Sequence, residues 1–104
     1  MNKKFLLPLM IYKLTFLESA KKEWDNLTPP LQSQLKKKLL QRLETPHVLK
    51  DKLSGLSNCY KIKLRSIGYR LVYRVFDDRV VVQVVAVGKR DKSMVYIDAK
   101  NRIP

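Results

Sequence analysis

In the run Tyr60-Lys61-Ile62-Lys63-Leu64-Arg65 every second residue is a cation. Read as a strand, its period of two sends Tyr60, Ile62 and Leu64 to one face and Lys61, Lys63 and Arg65 to the other. Like charges side by side destabilise a sheet, so this row is a cost unless an anion occupies the face. In the following stretch Arg70, Val72 and Arg74 share a side. Whether Arg70 joins Lys61 and Lys63 depends on hairpin register, which a one-residue slip inverts and which the sequence leaves open. A Val-rich segment then runs directly into Lys89 and Arg90, and polar residues on a loop at a strand end are commonly positioned for binding or chemistry. The chemistry that suits this set is capture of a phosphate; the competing reading is an open sheet face whose charges are simply solvated.

Other chemistries find little support. His47 follows Pro46 in a connecting loop and reads as a surface residue, with no second histidine to make an acid–base pair. Cys59 has no cysteine partner for a disulfide or a zinc site and reads as a small buried hydrophobe. No phosphate-cradling glycine loop, dinucleotide fingerprint or acidic triad for magnesium is present. The expectation is a mechanism with no metal and no cofactor.

The elements that must carry these residues follow from periodicity. Ile11 to Phe16 alternates as a half-buried strand. Leu17, Ala20, Trp24 and Leu27 then form one helical face, with Lys21, Lys22, Glu23 and Asp25 toward water. Thr28 is the expected N-cap of a second helix, with Pro29 at the first helical position, where its missing N–H costs nothing. Leu31, Leu35, Leu39, Leu40 and Leu43 give that helix an apolar stripe, and Lys36, Lys37, Lys38 and Arg42 its wet side, so the two helices form a hairpin. Thr45 to Asn58 reads as an irregular connection. Cys59–Arg65, Tyr69–Phe76 and Val80–Val87 are rich in β-branched and aromatic residues and separated by short turns, which predicts an antiparallel meander. Gly88 to Lys92 reads as a loop and Ser93 to Arg102 as a short terminal helix. The expected class is α+β: an N-terminal strand, a helical hairpin, then a three-stranded antiparallel meander in one twisted sheet, its helices covering one face.

At 104 residues the chain is the size of one domain. Hydrophobic content of 45% excludes a disordered chain. The net charge of +13, from 22 Lys and Arg against 9 Asp and Glu, exceeds what solubility asks of a small domain and implies a polyanionic partner, most commonly nucleic acid. A single cysteine gives no sign of an oxidising compartment, so the cytoplasm is expected. The opening Met1-Asn2-Lys3-Lys4-Phe5-Leu6-Leu7-Pro8-Leu9 has the charge-then-apolar order of a signal peptide, but its apolar part is short, is broken by Pro8 and lacks a clear cleavage site. With Met10 directly before the first strand pattern, residues 1–9 are expected to be an extension and residues 10–104 a single domain.

Taken together, the run Cys59 to Tyr73, with Val87-Gly88-Lys89-Arg90 and Tyr96 after it, closely resembles the RelE family of bacterial toxins. The likeness takes in Lys21-Lys22-Glu23-Trp24 and Gln34-Leu35-Lys36-Lys37-Lys38-Leu39, and extends from about Met10 to Ile103. It implies ribosome-dependent cleavage of mRNA in the decoding site of the 70S ribosome and neutralisation by an acidic RelB-like antitoxin. Operator DNA is implied as a partner only through the toxin–antitoxin complex, and no membrane is implied.

Carried over by position, the family's functional residues fall on Lys61, Lys63, Arg70, Arg90 and Tyr96. Some members carry an arginine where this chain has Ser54, in Leu53-Ser54-Gly55, which puts one accessory RNA contact in doubt. The implied reaction is attack of a ribose 2′-hydroxyl on the adjacent phosphate, giving a 2′,3′-cyclic phosphate and a 5′-hydroxyl. Cations aimed at the growing negative charge can each contribute about 10²–10³ in rate. Arg70 and Arg90 are candidates for clamping the phosphate, and Lys61 or Lys63 for the general base, since crowding by like charges lowers a lysine pKa. Tyr96 is a general base or a platform for a codon base, the competing reading being a purely structural tyrosine packed by a short helix. Arg65, Lys89, Lys36, Lys37 and Lys38 are further candidates for RNA contact. The alternative within the same fold is a non-catalytic RNA- or protein-binding toxin, such as the gyrase-targeting ParE type. A DNA-binding repressor acting alone would need a recognition helix that the chain lacks.

Overall fold

The computed structural model describes residues 11–89 and 91–104. The expected extension at residues 1–9 and the candidate Arg90 lie outside the described residues.

The hydrophobic alternation of the C-terminal half becomes a four-stranded sheet of order β1-β4-β3-β2, with β1 Lys13–Phe16, β2 Cys59–Leu64, β3 Tyr69–Phe76 and β4 Val81–Lys89. The three later strands form the expected antiparallel meander, and β1 adds to it in parallel beside β4. Between β1 and β2 come α1 Glu18–Asp25 and α2 Pro29–Glu44, and α3 Met94–Arg102 closes the chain. Thr28 stands at the N-cap of α2 with proline just inside, although its hydroxyl makes no capping bond. Among the described residues no helix is long and apolar enough to cross a membrane.

The sheet is covered on both faces, not one. Leu31, Leu35, Leu39 and Leu43 of α2, with Ala20 of α1, pack on Tyr60, Ile62, Leu64, Leu71, Tyr73 and Val75. On the opposite face Val95 and Ala99 of α3 pack on Cys59, Val72, Val85 and Ala86. This second core is possible because β4 carries a bulge. Val72 faces Ala86 while Tyr73 faces Val84, so Val85 is the extra residue, and both Val85 and Ala86 turn toward α3.

Three side chains leave their expected environments. Leu40, expected in the apolar stripe, is half exposed, because the sheet accepts only one leucine per turn of α2. Arg42, expected on the wet side, is half-buried, bonding Asp51 at 2.6 Å, the Tyr73 hydroxyl at 2.9 Å and the Lys61 carbonyl at 3.2 Å. Glu23, also expected to face water, accepts from Arg102 at 2.9 Å and from the Val87 backbone N–H at 3.0 Å. Beyond Val84 the edge of β4 has no strand beside it in the β1 pairing, and Glu23 with Arg102 satisfies the backbone groups there, Arg102 also donating to the Val85 carbonyl at 2.9 Å.

Candidate active site

Register decides what the cationic row becomes. In the β2–β3 hairpin Lys61 faces Val72 and Lys63 faces Arg70, so Arg70 stands on the same face as both lysines. The turn fixes this: the Gly68 N–H donates to the Leu64 carbonyl at 2.8 Å, and Gly68 adopts a φ of 76°, a conformation that favours glycine. Leu53 N–H and the Arg42 guanidinium donate to the carbonyls of Cys59 and Lys61 from outside the sheet. The odd-numbered residues of β2 therefore turn their carbonyls outward, and Lys63 with Arg70 forms the non-hydrogen-bonded kind of pair, whose Cα atoms lie about 4.5 Å apart. Two cations are held at the closest spacing a sheet allows.

Across the next strand boundary Arg70 faces Gly88 and Val72 faces Ala86. Two adjacent rows result: Lys63, Arg70 and Gly88 in one, and Lys61, Val72 and Ala86 in the other. Val72 and Ala86 belong to the cluster against which Tyr96 of α3 packs, so the tyrosine rests beside the cationic rows on the same face of the sheet. Tyr96 also lines a groove of about 210 Å³ with Leu53, Ser54, Gly55 and Leu56. The position that departs from the family pattern, Ser54, thus opens on the same groove as the tyrosine.

Arg70 is 7% exposed, and among the described residues its side chain makes one hydrogen bond, a long one of 3.4 Å to the Tyr69 carbonyl. A guanidinium so placed without a carboxylate is suited to an incoming anion. Lys63 has a pKa below its ordinary 10.5, chiefly because Lys61 is near, with slight burial, Arg65 and Arg70 acting in the same direction and Asp51 against them. Its neutral form is thereby brought within easier reach.

The remaining candidates divide. Arg65 falls one residue past the end of β2, exposed in the turn, where it lines a groove with Lys63 and Lys38 of α2. Lys36 and Lys37 are exposed on the same helix. Lys89 pairs with Tyr69, whose ring packs with the α1–α2 core, so alternation sends Lys89 to the face away from Arg70. Cys59 is fully buried and the burial pushes its thiol pKa up, the environment of a packing residue. His47 is partly exposed and joins Tyr60, at 2.7 Å, to Asp77, at 2.8 Å.

Sequence reasoning places Gly88 in a loop after the last strand, whereas it lies within β4 opposite Arg70. The bulge at Val85, which sets the phase that brings Gly88 opposite Arg70, has no signature in a run of valines.

The chain matches the family described as the ParE toxin of type II toxin–antitoxin systems over residues 14–94. It is 55% identical over 94 residues to the mRNA interferase toxin RelE of Escherichia coli strain K12, covering 90% of this chain and 99% of that one. A mutant E. coli RelE solved in the free state superposes with a TM-score of 0.84 at 53% identity, over 90% of this chain and 99% of that one. The toxin of the intact E. coli RelBE toxin–antitoxin complex superposes with a TM-score of 0.75 at 54% identity, over 78% and 99%. The chain belongs to the RelE-like toxins of the type II toxin–antitoxin systems.

Proposed function

We propose that this protein is the toxin of a type II toxin–antitoxin pair, an endoribonuclease that cuts mRNA in the ribosomal A site. The observation that carries the reading is the row Lys63–Arg70 beside Lys61 on the α3-bearing face of the sheet, like charges held close with the almost buried Arg70 among them. Such an arrangement is costly in isolation and favourable around a phosphate whose charge grows in the transition state. The ribose 2′-hydroxyl attacks the adjacent phosphorus, its proton passes to the neutral amine of Lys63, and the departing 5′-oxygen takes a proton from a neighbouring cation. The products are a 2′,3′-cyclic phosphate and a 5′-hydroxyl. Arg70 holds the non-bridging oxygens, Lys61 adds charge, and Arg90 acts at the leaving oxygen. Tyr96 stacks on a codon base.

The ribosome supplies what this face does not, a grip on the mRNA that aligns the 2′-oxygen with the departing oxygen. Lys38 and Arg65, with Lys36 and Lys37, contact RNA phosphates around the edge of the sheet. A small acidic antitoxin of the RelB kind, the partner seen with E. coli RelE, neutralises the toxin in the cytoplasm, and operator DNA is met only through that complex.

Primer extension on an mRNA in a purified translation system tests the reading. Cuts are expected on translated message with the wild type, and none with Lys63→Ala or without ribosomes. Folded wild-type protein that leaves the message intact would overturn the proposal in favour of a binding toxin of the ParE type, with gyrase as the first target to examine.

A further inference from the structure

Glycine inside a strand weakens it and needs a reason. Gly88 lies within β4, and the usual internal reasons fail. Its φ is outside the left-handed region, which among the described residues holds only Gly55 and Gly68 of the glycines. A Cβ built on Gly88 would meet no atom of the described residues within 4 Å, so no neighbouring element presses on it. What distinguishes the position is its row: its cross-strand partner is Arg70, and Arg70's other partner is Lys63.

We propose that Gly88 is where the sugar–phosphate backbone of the mRNA comes down against the sheet, its missing side chain leaving the space that lets the scissile phosphate reach the Arg70 guanidinium. Arg70 is 7% exposed, with Lys63 and Gly88 as its cross-strand partners, so a ligand can reach it only by close approach. On the β2 side the neighbour is the long, flexible Lys63, whose amine must itself reach the attacking 2′-hydroxyl. On the β4 side a side chain would stand between the guanidinium and the incoming oxygen. Glycine removes that obstacle and makes the floor of the site backbone alone. The inference rests on the nuclease reading given above and adds a residue of substrate contact to it.

The test sets stability against rate. Gly88→Ala and Gly88→Val are compared with wild type and Lys63→Ala in single-turnover cleavage of a programmed mRNA on ribosomes at saturating toxin, with ribosome affinity and thermal midpoint measured in parallel. Removing a strand glycine is expected to leave the thermal midpoint unchanged or raise it, because both replacements suit extended backbone better. Cleavage is expected to fall with side-chain size, to about 10²-fold for valine, the scale on which displacing a reacting group by about 1 Å acts. Ribosome affinity is expected to stay within about twofold, since its proposed contacts lie elsewhere on the protein. Gly88→Val that cuts at the wild-type rate while Lys63→Ala does not would overturn the proposal and leave the nuclease standing. A midpoint that falls in step with activity, or a loss confined to ribosome affinity, would overturn it as well. Wild-type cutting by Lys63→Ala would remove the site itself, and this inference with it.

Discussion

Lys63 stands two residues from Lys61 and from Arg65 and across from Arg70, and its lowered pKa is the electrostatic imprint of those neighbours. If its free amine takes the 2′-proton, the single-turnover rate should rise with pH to a midpoint below the ordinary lysine value and then level. Because Lys61 is the largest cause, Lys61→Met should lower the rate and move that midpoint to higher pH. An unchanged midpoint in that variant would assign the base elsewhere. The lysine row was legible from alternation alone. What alternation could not supply were the partners of Glu23 and Arg42, whose contacts lie 79 and 31 residues away, to Arg102 and Tyr73. A charged residue on the polar side of a helical pattern reads as solvated until the distant chain that meets it is known.

At the scale of elements, α3 is fastened by little apolar surface: Val95 and Ala99 are its buried residues. The clamp of Arg102 on Glu23, each less than a third exposed, therefore carries much of its placement. Burial alone would raise the Glu23 pKa, but the Arg102 guanidinium and the Val87 N–H outweigh it and hold the carboxyl below its ordinary 4.5. A depressed carboxyl contributes stability above its ordinary pKa and loses it as pH falls through the folded value, so the clamp is intact at neutral pH and opens in acid. Arg102→Ala leaves Glu23 and the Val85 carbonyl without this partner and should cost about 1–3 kcal/mol. Amide exchange is expected to accelerate in α3 before the β2–β3 hairpin, and uniform acceleration would show that the helix does not open on its own. The helix itself was legible in the sequence, but its face was not. The bulge that turns both Val85 and Ala86 toward it is invisible in a stretch where every residue is apolar.

For the molecule as a whole, the sequence holds 22 basic against 9 acidic residues, and among the described residues Lys61, Lys63 and Arg70 on the sheet face, Arg65 in the β2–β3 turn and Lys36, Lys37 and Lys38 on α2 contribute to that excess. Binding to the ribosome should weaken steeply with added salt, and Lys38→Ala with Arg65→Ala should make the dependence shallower by about one phosphate contact each. A salt slope untouched by both changes would separate that edge from the RNA. Class, element order and the shared face of Lys61 and Lys63 could be read from the sequence. The parallel placement of β1 beside β4 could not, since pairing between residues 68 apart in the chain leaves no local pattern.

Arg42 and Arg102 occupy matching stations at the two places where a strand lacks a neighbour, Arg42 along the outer side of β2 and Arg102 where β4 runs on beyond its pairing with β1. One binds the Lys61 carbonyl outside β2, where Leu53 also covers Cys59, and the other binds the Val85 carbonyl outside β4. A toxin freed when its inhibitor is degraded would stand alone at rising concentration, with a row of backbone groups at each margin inviting a second copy to add as another strand. Here the outer side of β2, which Lys63 and Arg65 also border, and the stretch of β4 beyond its pairing with β1 are stoppered by side chains of the same molecule, so at these two places the protein's own architecture resists the fibrous self-pairing to which an unattended sheet is prone.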